Sequence, residues 1–126
     1  TLTTGPLLST SAVNGFGYGT GAGGAVTQLT NKATAVTLNR PSGQITMNNA
    51  ALANVTSVAF TLNNSCITAN DVVAVSIKSG ATTITYQVCA QAVAAGSCSI
   101  NLSNVSAASQ SDAVVLNFVV LKGVAA

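Results

Sequence analysis

Two aspartates, three cysteines and one glycine run are the places in this 126-residue chain where residue type and spacing could support chemistry. Asp71 and Asp112 are the whole supply of side-chain carboxylates, and there is no His or Glu. General acid–base catalysis needs a positioned group that exchanges protons near the working pH, so the inventory points away from an enzyme and no catalytic residue is assigned. Each Asp opens a strand-like segment after a turn-like one, TAND and SQSD, where a carboxylate commonly accepts backbone N–H groups.

Cys66, Cys89 and Cys98 are odd in number and show no C-x-x-C spacing. A thiolate nucleophile needs a nearby base, and only Lys could serve here. Structural zinc wants four Cys or His ligands, so no metal is expected and the thiols read as reduced and buried or half-buried. Cys89 and Cys98 are close in sequence, and nothing else suggests a bridge. The run Gly19-Thr20-Gly21-Ala22-Gly23-Gly24 fits G-x-G-x-x-G. That pattern binds dinucleotides when it links a buried strand to a helix, with an acidic residue about 20 positions later. Here an irregular segment precedes it, a β-like AVTQLT follows, and the region near position 40 offers only Arg40. The run reads as a loop, and no cofactor is expected.

Only 5% of the residues are charged, against roughly 25% in an ordinary soluble domain. Lys32, Arg40, Asp71, Lys78, Asp112 and Lys122 are scattered singly. A net charge of +2 with no basic patch lacks the several adjacent cations that a nucleic-acid footprint needs. Surface polarity therefore comes from Ser, Thr, Asn and Gln, which solvate without repelling other copies. Such a surface suits a protein coat or filament in which much of it is covered.

Hydrophobic residues make up 48% of the chain and mean hydropathy is +0.55, yet no run approaches the roughly 20 apolar residues of a membrane span. No basic segment followed by an apolar core opens the sequence, so no signal peptide is expected. Thr1 is small enough to leave a preceding initiator Met removable.

These residues must be carried by strands. From Ala25 onward, short apolar–polar alternation recurs between Gly, Asn, Asp and Ser clusters. It predicts strands at 25–29, 33–39, 43–48, 56–63, 71–78, 82–92, 97–103 and 112–122. β-Branched residues and short connections favour an all-β fold, an antiparallel β-sandwich or jelly roll of about eight strands. Alternation puts Val58, Phe60 and Leu62 on one face, then Val73, Val75 and Ile77, then Ile84, Tyr86 and Val88, then Cys98, Ile100 and Leu102. Thr61, Ser76, Thr83, Thr85, Gln87, Ser99 and Asn101 lie opposite, and Cys89 joins the polar side. The Ala-rich stretch Asn48–Val55 has the composition of a helical turn but is too short for a stable helix.

Residues 1–24, rich in Gly, Ser and Thr, are expected to form a flexible N-terminal arm, with 25–126 as the single domain. The arm's apolar residues Leu7, Leu8, Val13, Phe16 and Tyr18 are candidate contacts with a neighbouring subunit, which must offset the chain entropy lost on ordering them. The last strand, DAVVLNFVVLKG, is apolar on both sides. Val114, Leu116, Phe118 and Val120 form one side, while Val115, Val119 and Leu121 form the other and are further candidate assembly contacts.

The segment GYGTGAGGAVTQLTNKATAVTLNRPSGQITMNNAAL and the end SDAVVLNFVVLKGVA resemble a group of small structural proteins of tailed bacteriophages and prophages. The resemblance lies in a Gly-rich lead, Val26–Gln28, Thr37–Met47 and the closing strand Ala113–Lys122, and covers roughly residues 17–126. It implies a virion structural protein with no catalytic motif. The leading expectation is a capsid decoration (cement) protein, a homotrimer on the head surface whose partners are its own copies and the major capsid protein. The alternatives are a trimeric tail-fibre or tail-spike tip binding a host glycan, through loops such as Asn63–Asp71, and a subunit of an extracellular filament whose arm completes a neighbour's sheet.

Overall fold

The structure, a computed structural model, describes residues 5–126. The first four residues of the expected arm lie outside them. Eight strands follow in order: β1 (Ala25–Thr27), β2 (Val36–Thr37), β3 (Ser42–Thr46), β4 (Thr56–Asn63), β5 (Val72–Ser79), β6 (Tyr86–Ala94), β7 (Ser97–Asn104) and β8 (Val115–Leu121). They form two four-stranded sheets, sheet A in the order β1-β3-β8-β5 and sheet B in the order β2-β4-β7-β6. This is the expected all-β sandwich of about eight strands. Both sheets are mixed: the short edge strands β1 and β2 pair in parallel with β3 and β4, and the other pairings are antiparallel.

The alternation read from the sequence generates the core directly. Val73, Phe60, Leu62, Tyr86, Cys98, Ile100 and Leu102 are buried between the sheets with Ile45, Val114, Leu116, Phe118 and Val120. Burying each large side chain contributes about 1.5–3 kcal/mol. Gly43 faces inward on β3, where Leu38, the Gly24 carbonyl and Phe118 together fill the space a side chain would take; a Cβ there would lie 2.7 Å from Leu38 Cδ2, 2.8 Å from the Gly24 carbonyl and 3.2 Å from the Phe118 ring.

Ile84 departs from the expected pattern. It is 92% exposed, and its φ of 56° is left-handed backbone that breaks the alternation. The strand therefore starts at Tyr86, and Thr85 takes the buried place. Val55 has the same conformation, with φ 53°. A β-branched residue held there costs of order 1–3 kcal/mol. The Ala-rich stretch 48–55 forms no helix; Leu52 instead makes a β-bridge with Gln110.

With so few charges, buried amides close the loops. Gln28 donates to Lys32 O and Thr34 O, both at 2.9 Å, and accepts from Asn48 N at 3.1 Å. Asn64 donates to Arg40 O at 2.7 Å and accepts from Cys66 N at 3.0 Å. Asn104 donates to Leu52 O, Ala53 O and Ala108 O and accepts from Ser106 N. Lys32 is buried too; its ammonium donates to Asp112 O at 2.6 Å and to Asn48 O, and burial pushes its pKa down.

Strand directions define two poles. Thr46, Ser79 and Val115 share a register row in sheet A, and Thr56, Asn104 and Tyr86 share one in sheet B. The short 80–85 connection joins these two rows at what is here named the upper pole. The lower pole holds the end of β8, the loop 64–71 and the segment 16–24.

Candidate assembly surface

The two outer faces differ sharply in chemistry. On sheet B they present Ser57, Thr61, Gln87, Cys89, Gln91, Ser99, Asn101 and Ser103, with Ser57 Oγ and Ser103 Oγ 2.7 Å apart. On sheet A, β8 is an interior strand: its Leu116, Phe118 and Val120 are fully buried, as is Val114 just before it, and its other side faces outward. Val119 sits in a row with Ala74 and Ser42, and Leu121 beside Val72. Val72 is more than half exposed and Leu121 is 46% exposed, so the lower end of this face is apolar, whereas its middle is polar, with Asn117 in a row with Gln44 and Ser76, and Lys78 follows on β5.

The N-terminal segment reaches this face. The Tyr18 hydroxyl donates to Val120 O at 2.6 Å. Phe16, Gly17 and Tyr18, with Val119, Leu121 and Lys122, line a groove of about 370 Å³. Four of the candidate contacts, Phe16, Tyr18, Val119 and Leu121, are thus brought together. Val115 lies at the other end of β8, half-buried beside Thr46 and Ser79. Leu7, Leu8 and Val13 are exposed away from the groove, in a stretch without strands where Ser11 Oγ accepts from Val13 N and Asn14 N. Val72 and Ala74 were not singled out in the sequence; the signal was the doubled Val72-Val73, which marks a strand apolar on both sides at its start.

An ion pair pins the groove's polar end. The Asp71 carboxylate accepts from Lys122 Nζ at 2.7 Å, from Thr68 N at 2.7 Å and from Gly123 N at 3.3 Å, and Lys122 Nζ also donates to Cys66 O. These donors, Lys122 foremost, hold the Asp71 carboxyl well below the usual carboxylate range. A depressed folded-state pKa gives stability that is present above the unfolded value of about 4 and is lost as pH falls toward the folded one. Melting temperature followed from pH 6 downward should therefore drop below about pH 4, and the Asp71→Asn variant should show a flatter profile. Parallel profiles for the two proteins would refute the role given to this pair.

The remaining chemistry-bearing residues are separated. Asp112 accepts from Thr82 N at 2.9 Å at the upper pole, far along β8 from Asp71. Cys98 faces the core, where burial pushes its thiol pKa up, whereas Cys89 is exposed on the outer face of sheet B. The two lie on opposite sides of the sheet and do not bridge. Gly19–Gly24 runs irregularly into β1 and opens no helix. In the loop 63–71 Asn64, Ile67 and Asp71 point inward, which leaves it a smaller polar surface than its composition suggests.

Comparison with known proteins found no matching family model, no matching curated sequence and no matching solved structure.

Proposed function

We propose that this chain is a structural protein of a bacteriophage particle that works by assembling with its own copies, as a homotrimeric head-decoration protein clamping neighbouring capsid subunits. The observation that carries this reading is the contrast between the outer faces: a polar, uncharged one on sheet B, and on sheet A one whose lower end, Val72, Ala74, Val119 and Leu121, is apolar and is reached by a segment whose own side chains are exposed. A monomer in solution gains nothing from exposing Phe16 beside Leu121, nor from exposing Leu7, Leu8, Val13 and Val72, whereas an assembly buries them. The paucity of charge removes the repulsion that keeps ordinary proteins apart. The phage setting rests on the sequence resemblance of residues 17–126.

Light scattering on the purified chain, paired with its copy number in purified particles, tests the proposal. A trimer in solution and a copy number comparable with that of the coat protein are expected. A stable monomer would overturn self-assembly. Trimers present at only a few copies per particle would replace the head role with the tail-tip one.

A further inference from the structure

Each sheet has two open edges, and the strands on three of the four are protected. β1 and β2 are only three and two residues long. β5 has a register shift between Ile77 and Ser79 and carries Lys78. Short strands, irregularities and edge lysines all discourage a further strand from pairing. β6 lacks such protection over residues 85–91: the run holds no charged residue and no Pro, and its register shift comes only after Gln91.

Hydrogen bonds fix which groups of this edge are free. Val105 N donates to Thr85 O at 2.8 Å and, on the other side of β7, Asn64 N donates to Gly96 O at 2.9 Å. Bonded and non-bonded pairs alternate along antiparallel strands. Thr85, Gln87, Cys89 and Gln91 therefore bond to β7, and Tyr86, Val88 and Ala90 turn their N–H and C=O groups to the open side. Among the described residues no other backbone bond reaches these groups, and β5, across the sandwich, shares no ladder with β6. Left-handed residues close the run at both ends, Ile84 with φ 56° and Ala92 with φ 51°. The usable edge is thus 85–91, and its midpoint is Val88.

We infer that two copies of this chain pair antiparallel through this edge, about a two-fold axis at Val88, joining their sheets B into one. In that register Val88 meets its own copy, Tyr86 meets the small Ala90, and every free group finds a partner, about six N–H···O bonds in all. An axis at Cys89 would set Tyr86 against the left-handed Ala92 and leave only about four. A second copy is matched to this edge because both strands bend at the same places and neither brings a charge to face its like. The contact is isologous and goes beyond the three-fold one proposed above: it joins chains of different trimers.

Disulfide mapping tests the register. Gln87 and Cys89 of the second copy would form a non-hydrogen-bonded pair with Cα atoms about 4.5 Å apart, within the span of a disulfide. Under oxidised glutathione, Gln87→Cys should give dimers linked between the introduced thiol and Cys89 of the second copy. Their yield should be roughly tenfold or more above that of wild type, or of Gln87→Cys with Cys89→Ser, whose nearest thiols sit on the diagonal about 7–8 Å apart. Adding Ala90→Pro, at an edge position whose N–H faces outward, should leave the chain folded and cut the link roughly tenfold or more. Wild type linking through Cys89 as readily as Gln87→Cys would overturn the Val88 register. A missing link in Gln87→Cys, or one untouched by Ala90→Pro, would overturn edge pairing, as would amide-exchange protection of Val88 and Ala90 at dilutions where no pairs form, the sign that the chain's own arm covers the edge. Trimers persisting in light scattering would then leave the proposed function standing, whereas linked pairs from a chain that forms no trimer would do the reverse.

Discussion

Replacing Asn104 by leucine is expected to lower the free energy of unfolding by about 3–5 kcal/mol, with the denaturant slope unchanged. The side chain is 1% exposed. Its amide nitrogen lies 2.9 Å from Leu52 O, 3.2 Å from Ala53 O and 2.9 Å from Ala108 O, and its oxygen accepts from Ser106 N at 3.0 Å and Ser106 Oγ at 2.8 Å. Leucine has similar volume, so little cavity forms. The cost is instead that of leaving buried carbonyls without donors, about 1–3 kcal/mol for each group that water cannot reach. Both loops held by this amide, at 52–53 and 106–108, lie at the upper pole, so the variant should also lose protection from amide exchange there. A urea titration showing less than about 1 kcal/mol of loss would mean that water or backbone adjustment takes over those bonds.

Phe118→Ala is expected to cost about 3–5 kcal/mol and to lower the melting temperature by roughly 10–20 °C. Phe118 is 1% exposed, lies opposite both Val75 on β5 and Gly43 on β3, and fills the centre of the sandwich. Truncation removes the ring from the one place where β3 has no side chain of its own, so collapse around the void is restricted and the cavity cost is high. Calorimetry measures the loss. Phe118→Ala combined with Gly43→Ala is the informative second variant, because the added methyl points into the vacated space. Stability of the pair at or below that of Phe118→Ala alone would show that the close approach of Leu38 and Gly24, not the ring, dictates glycine at position 43.

Much of the fold was legible because alternation has a fixed period of two. Val58, Phe60 and Leu62, or Cys98, Ile100 and Leu102, can be assigned to the core from spacing alone, and β4 and β7 follow within a residue. The failure at Ile84 has a local cause. Alternation says nothing about a left-handed residue, and Thr-Thr-Ile-Thr reads like a strand although its backbone turns. The parallel pairings of β1 and β2 were hidden for another reason: two or three residues carry too little pattern to fix a partner. The buried amides were the least legible feature. Asn64 and Asn104 sit among Asn and Ser residues that look like solvent-facing polar sequence, and only the loops folding over them show that these side chains point inward.

The candidate surface was legible in part. A final strand apolar on both sides announced that Val119 and Leu121 face something other than the core, and Phe16 and Tyr18 were conspicuous in a Gly-rich segment. Their meeting in one groove depends on the path of residues 16–24, for which composition carries no instruction.

The buried amides of Gln28, Asn64 and Asn104 carry no charge, so no proton and no dissolved ion competes for their bonds. Among the described residues one ion pair, Asp71 with Lys122, is exposed to such competition. Ionic atmospheres that weaken surface charge pairs over about 8 Å at physiological strength find almost nothing here to weaken. The same sheets should stay joined in nearly pure water and in concentrated brine, a form of ruggedness that comes from having little for the solvent to screen.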